Sequence, residues 1–149
     1  MNSRRTLLQE EADTLLNMIK KSLSENIEFP SKGKALEFDL IGDDNKELFT
    51  TKIYRGKINS LKYEMGARIK KDGILLLELH VNPGEVHPNP DGSKIVGSHW
   101  HIYTEEYGRQ FAFPAESVQS DKFVENTILF LKKFNVVECP TVSFQLELV

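Results

Sequence analysis

This sequence has a single cysteine, Cys139. One thiol excludes an intrachain disulfide and fits a reducing compartment. No neighbouring pattern supplies it with a base, so it reads as a small packing residue rather than a nucleophile. An excess of positive charge is missing too. With 19 Lys and Arg against 22 Asp and Glu, the formal charge is −3 and no whole-chain basic field draws in nucleic acid. What remains is a local track of Lys62, Arg68, Lys70, Lys71, Lys94 and Arg109. There is no apolar run of about 18 residues and no signal-peptide pattern, so the expectation is a cytoplasmic protein without a membrane partner. Repeats, linkers and low-complexity tracts are also lacking, and 149 residues suffice for one core. Residues 1–149 are therefore expected to form a single domain.

What is present is alternation and two helical stripes. Arg4 to Ser24 reads as a helix capped by Ser3, with Leu8, Ala12, Leu15, Ile19 and Leu23 on its apolar face, flanked by Leu16. Strands are predicted from Lys34 to Ile41, from Leu48 to Ile58, from Tyr63 to Ile69 and from Ile74 to Val81. Ser98 to Thr104 continues the set. Arg109 to Phe113 would add an edge strand that Pro114 stops. A second helix is expected from Asp121 to Phe134, capped by Ser120 and packed through Val124, Ile128, Leu131 and Phe134. Thr141 to Val149 alternates as a last strand. The fold class is thus α+β, an antiparallel sheet of roughly six strands with both helices on its apolar face.

The hairpin around Lys71-Asp72-Gly73 fixes a register. A two-residue Asp-Gly loop would set Arg68 opposite Leu77 and mix polar with apolar sets. A three-residue loop with Gly73 left-handed pairs Arg68 with Leu76, Gly66 with Glu78 and Glu64 with His80. That choice gathers Glu64, Arg68, Glu78 and His80 on one polar face.

All four histidines follow within 22 residues, at positions 80, 87, 99 and 101. Alternation puts His99, His101 and Tyr103 on one face of their strand and Trp100 on the core face. A seventeen-residue link, Asn82 to Ser98, joins the two strands. Connections of that length without regular structure are often functional. Its three prolines stiffen it, and Asn89-Pro-Asp-Gly92 is a strong turn signal, so the loop can carry His87 over the His99/His101 pair.

The segments His87-Pro-Asn-Pro-Asp-Gly92, Gly97-Ser-His-Trp-His-Ile-Tyr103, Glu106-Tyr-Gly108 and Ala112-Phe-Pro114 together resemble an uncharacterised family of small proteins from bacteria and their phages or plasmids. The resemblance extends over most of the chain and rests on His87, Asn89, Pro90, Asp91, Gly92, His99, His101 and Tyr103. Where this chain has Glu78 and His80, members of that family usually carry Arg and Asp. The resemblance implies a mobile-element setting and no settled activity.

Two chemistries suit these residues. His87, His99 and His101 are candidate ligands for zinc or another divalent transition metal, with Glu78, His80 or Asp91 completing the set. Alternatively, the imidazoles act without a metal as proton donor and acceptor, Tyr103 or Arg68 steadying a phosphate oxygen. Either way, the candidate catalytic residues are His87, His99, His101 and Tyr103, and Arg68, Asn89 and Asp91 are the candidate substrate-binding residues. The favoured expectation is a small hydrolase acting on RNA or another phosphodiester. The competing one is a non-catalytic inhibitor of a host or defence protein. The plainest reading leaves the imidazoles hydrogen-bonded to one another and to loop carbonyls.

Overall fold

The computed structural model describes residues 6–145. The elements in chain order are α1 (Gln9–Asn17), β1 (Lys20–Ser22), β2 (Asn26–Glu28), β3 (Ala35–Gly42), β4 (Leu48–Arg55), β5 (Tyr63–Ile69), β6 (Leu75–Val81), β7 (Val86–Pro88), β8 (Lys94–Val96), β9 (His99–Ile102), β10 (Ala112–Pro114), α2 (Phe123–Lys133), β11 (Val136–Glu138) and β12 (Thr141–Ser143). Eight strands form one sheet in the order β10-β9-β6-β5-β4-β3-β1-β11. Every pairing in it is antiparallel except β1 with β11. Two small pairs stand outside this sheet, β2 with β12 and β7 with β8. The architecture is α+β as expected, with a larger sheet than the alternation indicated. None of the described helices is long and apolar enough to cross a membrane.

Both helices cover one face. Phe49, Ile53, Met65, Ala67, Leu77 and Leu79 project from the sheet into the core. Phe134 meets Phe49 edge to face at 5.3 Å, and Phe130 stacks on Trp100 at 6.3 Å. Each fully buried Phe contributes about 2–3 kcal/mol through burial. The α2 face keeps the predicted Leu131 and Phe134, both fully buried, and is otherwise rotated: Phe123, Thr127 and Phe130 are buried, while Val124 and Ile128 are half-buried. The aromatic stripe, adjacent to the aliphatic one, fills the larger volume over the sheet. Ser120 is not the cap either, since its carbonyl accepts from the Tyr63 hydroxyl at 3.0 Å and the N-cap position is Lys122.

The first helix is shorter than its periodicity suggested. It stops at Asn17, and the next residues enter the sheet, Lys20 pairing with Gly42 and with Val136. Ile19 and Leu23 consequently point outward, and Leu8 is exposed while Leu7 is buried. Two sides of strand pairing outweigh the local helical preference. Ser3 lies outside the described residues, as does the tail at 146–149. At its start α1 is tied to the far side of the histidine region. The Leu7 amide donates to the Tyr103 hydroxyl at 2.9 Å, and Gln9 and Glu105 exchange backbone-to-side-chain bonds of 2.8 and 3.0 Å.

In the β5–β6 hairpin, Gly66 faces Glu78 and Glu64 faces His80, as the apolar sets required. Near the turn the register differs: Arg68 lies opposite Leu75 rather than Leu76, and the loop has four residues, Lys70 to Gly73, closed by a Gly73 amide to Ile69 carbonyl bond of 2.8 Å. A bulge causes the shift. It turns Leu76 into the core beside Leu77 and leaves Leu75 on the polar side. Gly73 is left-handed at φ 77°, as expected.

The long link also has more structure than expected. Val86–Pro88 pairs with Lys94–Val96, and Gly92 (φ 89°) closes the turn. Asn89 and Asp91, expected to contact substrate, hold this hairpin in shape. Asp91 accepts from the Ser93 amide at 2.9 Å and hydroxyl at 2.6 Å. Asn89 bonds Ala112 in both directions, its Nδ2 donating to the carbonyl at 2.9 Å and its Oδ1 accepting from the amide at 2.7 Å. These two buried bonds fasten the hairpin to edge strand β10. Asn89→Ala is therefore expected to loosen it by about 2–3 kcal/mol. Hydrogen exchange should show Ala112 and the β7–β8 amides losing protection together while the β4–β5 amides keep theirs; unchanged protection at Ala112 would refute the clamp.

Candidate metal centre

Sheet register assembles the site. Directly opposed residues share a face, so Glu64, His80 and His99 form one row across β5, β6 and β9, and Gly66, Glu78 and His101 form the next. The site lies on the face away from the helices, next to the sheet's β10 edge. His80 and His87 flank the central pair. His80 sits 5.1 Å from His99 and 4.8 Å from His101 between ring centres, and His87 sits 5.2 Å and 4.9 Å from the same two rings. His99 and His101 are 5.0 Å apart.

Three of the four imidazoles have one nitrogen fixed by an oxygen. His99 Nδ1 donates to the Gly97 carbonyl at 2.9 Å, and His87 Nε2 donates to the Gln110 carbonyl at 3.1 Å. A carbonyl only accepts, so these nitrogens carry the hydrogens. The Arg109 backbone lies against His101 and works to raise its pKa. His80 Nε2 lies 3.2 Å from Glu78 Oε1. The opposite nitrogens of the buried pair, His99 Nε2 and His101 Nδ1, are buried and have no protein hydrogen-bond partner.

Glu78 organises the rim. Its buried carboxylate takes Arg109 in a two-pronged bond, 2.6 Å from Nε and 2.5 Å from the terminal nitrogen, and holds His80 with the same group. Burial works against the charge of Glu78, but His80 and Arg109 outweigh it and hold its carboxyl below the usual range. Burial also opposes charge on His80. The bond to Glu78 and the negative charges of Glu64, Glu78 and Glu85 prevail and raise its pKa. The inner pair goes the other way: burial, reinforced by nearby positive charge on His80, lowers His99 and pushes His101 down to about 4. At neutral pH the inner imidazoles are uncharged, each with a free lone pair.

One nitrogen from each of His80, His99 and His101 lies within 4.8 Å of the others. Three imidazoles around a tetrahedral zinc hold their nitrogens about 3.3 Å apart, so closing on an ion asks for shifts of roughly an ångström. These three residues can hold a metal ion. The outer acceptors, the Glu78 carboxylate on His80 and the Gly97 carbonyl on His99, are of the kind that orient metal-bound histidines.

Other expected site residues lie elsewhere. Tyr103 leaves the alternation beyond the end of β9; its ring is in the core and its hydroxyl is engaged by Leu7. Arg68 donates to Glu37 at 3.2 Å and lines a cleft that reaches Glu78. The feature sequence reasoning missed is the Glu78–Arg109 pair. Pairing Glu78 with His101 would have pointed to it, because the chain turns after β9 and returns Arg109 past that position.

No curated protein and no solved structure matches the chain. A family model matches residues 7–136, which takes in both helices, every strand of the large sheet except most of β11, and all four histidines, and the chain belongs to that family of unknown function, DUF6978.

Proposed function

We propose that this protein holds a zinc-class divalent metal on His80, His99 and His101 and uses it to hydrolyse a phosphodiester. The observation that carries the proposal is the pair of buried, unpartnered nitrogens, His99 Nε2 and His101 Nδ1, beside a His80 that a carboxylate orients. A purely structural network would have used those nitrogens, since each buried acceptor without a donor costs about 1–3 kcal/mol. An all-imidazole donor set suits zinc, copper, iron or nickel better than magnesium or calcium.

An ion bound here supplies Lewis acidity to a phosphate oxygen and makes a coordinated water acidic. The protein's own groups perform the rest. Glu78 fixes the tautomer of His80 and stays ionised through Arg109. His87 is half-buried on the hairpin, and with Nε2 committed to Gln110 its Nδ1 is free to take up or deliver a proton. Arg109, about half exposed at the rim, offers positive charge to an approaching phosphate. RNA is the favoured substrate, because its 2′-hydroxyl is a built-in nucleophile. Its attack on phosphorus breaks the bond to the 5′-oxygen, which leaves with a proton, and water then opens the 2′,3′-cyclic phosphate to complete the hydrolysis. The protein then has only proton transfer and charge stabilisation to perform.

Elemental analysis of protein purified without chelator should give about one transition-metal ion per chain, or reach that ratio after zinc is added. Cleavage of RNA oligonucleotides and of an activated phosphodiester should disappear with chelator and return with zinc. Failure to take up any ion would overturn the metal reading; full occupancy with no cleavage of either substrate would overturn the hydrolase reading and leave a binding role.

A further inference from the structure

The uncovered face of the sheet has a second feature beside the histidines. A cleft of about 350 Å³ lies over β4 to β6, walled by Lys52, Tyr54, Glu64, Arg68, Glu78 and Arg109. Glu78 and Arg109 belong to both this cleft and the rim of the metal centre.

The floor of the cleft is Gly66. It occupies the cross-strand row that runs Glu37, Lys52, Gly66, Glu78, His101, so every neighbour in the row except Gly66 has a side chain on this face. Its backbone does not require glycine, because Gly66 is not among the glycines with positive φ. Glycine in the middle of a strand costs roughly 0.5–1 kcal/mol and often marks a place where something approaches the backbone closely. A Cβ at this position would stand 3.1 Å from Leu75 Cδ2 and 3.6 Å from Glu78 Cγ, in the space of the cleft itself.

Charge and shape indicate the occupant. Three cations, Lys52, Arg68 and Arg109, meet two carboxylates in a chain whose overall charge is −3. Arg109 and Arg68 are already held by Glu78 and Glu37, which orients their remaining N–H groups. Lys52 is exposed and has no ion pair among the described residues. Tyr54 is 44% exposed and presents an aromatic ring at the wall opposite the histidines. Cations beside an exposed ring over a bare floor suit a phosphate joined to a flat heterocycle.

We propose that the cleft is a nucleotide subsite, taking a phosphate on Lys52 and Arg68 and a base against Tyr54. This deepens the hydrolase reading by assigning its substrate to nucleotides, and it places a neighbouring phosphodiester at the histidines. The test is titration of the zinc-free full chain with adenosine 5′-monophosphate, adenosine and orthophosphate, followed by amide NMR shifts. The monophosphate should perturb Gly66, Arg68 and Leu75 and bind more tightly than either fragment. Lys52→Gln should weaken it about tenfold, the usual worth of one charged hydrogen bond. Gly66→Leu should abolish binding, and both variants should keep wild-type zinc affinity. Should Gly66→Leu fail to fold, Lys52→Gln decides. Shifts confined to other surfaces, or unchanged affinity in the variants, overturn the subsite. A monophosphate no tighter than orthophosphate overturns the nucleotide assignment. Zinc uptake without nucleotide binding sinks the subsite alone, whereas nucleotide binding without zinc uptake supports it and sinks the metal reading.

Discussion

His101→Ala is expected to bind zinc at least about 10²-fold more weakly than the wild type. Loss of an outer-shell partner alone costs 10–100-fold, and His101 contributes a ligand nitrogen itself. The fold should persist, because His101 lies on the face away from the helices and its truncation removes none of the apolar core. Thermal melts separate the readings. Zinc at a hundred times its dissociation constant stabilises the wild type by about 2.7 kcal/mol. That corresponds to a rise of roughly 5–10 °C for a chain of this size. His101→Ala should show no such rise. His101→Gln leaves less empty space than alanine, so it should melt nearer the wild type without zinc and again not respond to the ion. If zinc leaves the wild-type melt unmoved while His101→Ala melts far lower, the cluster is a structural network and the metal proposal falls.

How much of this site could be read from sequence depends on which interactions are local. Alternation in Leu75 to Val81 and in His99 to Ile102 is a property of single strands, so the facing of His80, His99 and His101 was readable. Pairing of Glu64 with His80 followed from keeping both apolar sets on one side of a hairpin. The bulge at Arg68 and Leu75 was not readable, because it depends on how much core volume Leu76 can fill under the helices. Similarly, Tyr103 carries the strand pattern one residue past the point where the strand ends, and a contact 96 residues away with Leu7 decides where its hydroxyl goes.

The link between the histidine strands shows the same division. Its turn was visible in Asn89-Pro-Asp-Gly92, but its short paired strands were not, since three residues a side give too little alternation to detect. Asn89 and Asp91 drew attention as polar residues near histidines. Their bonds show both side chains building the turn and its anchorage. Arg109 reaches Glu78 across 31 positions of sequence, and no local pattern predicts an ion pair of that span.

Lys20→Met is expected to be the most damaging substitution outside the site, costing about 3 kcal/mol. Sequence periodicity placed Lys20 on a continuing helix, yet it is the first residue of β1 and only 1% exposed. Its ammonium donates to the Leu16 carbonyl at 3.1 Å, to Met18 at 2.8 Å and to Phe134 at 2.8 Å. Those carbonyls lie at the C-terminal ends of α1 and α2, where helix dipoles concentrate negative charge, so one side chain caps both helices. The faces of Phe134 and Phe49, 3.8 and 5.1 Å away, add cation–π attraction. Burial pushes Lys20 down to about 7, with Asp43 opposing the shift. At pH 6 the group is therefore an ammonium in folded and unfolded chains alike, and the comparison should be made there. Methionine keeps most of the volume but leaves one buried and two part-buried carbonyls without this donor, the buried one worth about 1–3 kcal/mol, against which the relieved cost of burying a charge is set. Urea unfolding should show a lower midpoint with an unchanged slope, and the melt should fall by roughly 6–12 °C. Zinc affinity should stay at the wild-type value, because the Lys20 side chain is tied to the two helix ends and none of its contacts is with a histidine. A melt within about 2 °C of the wild type would mean that the helix ends find other donors and that the shared cap is not what holds α1 and α2 to the sheet.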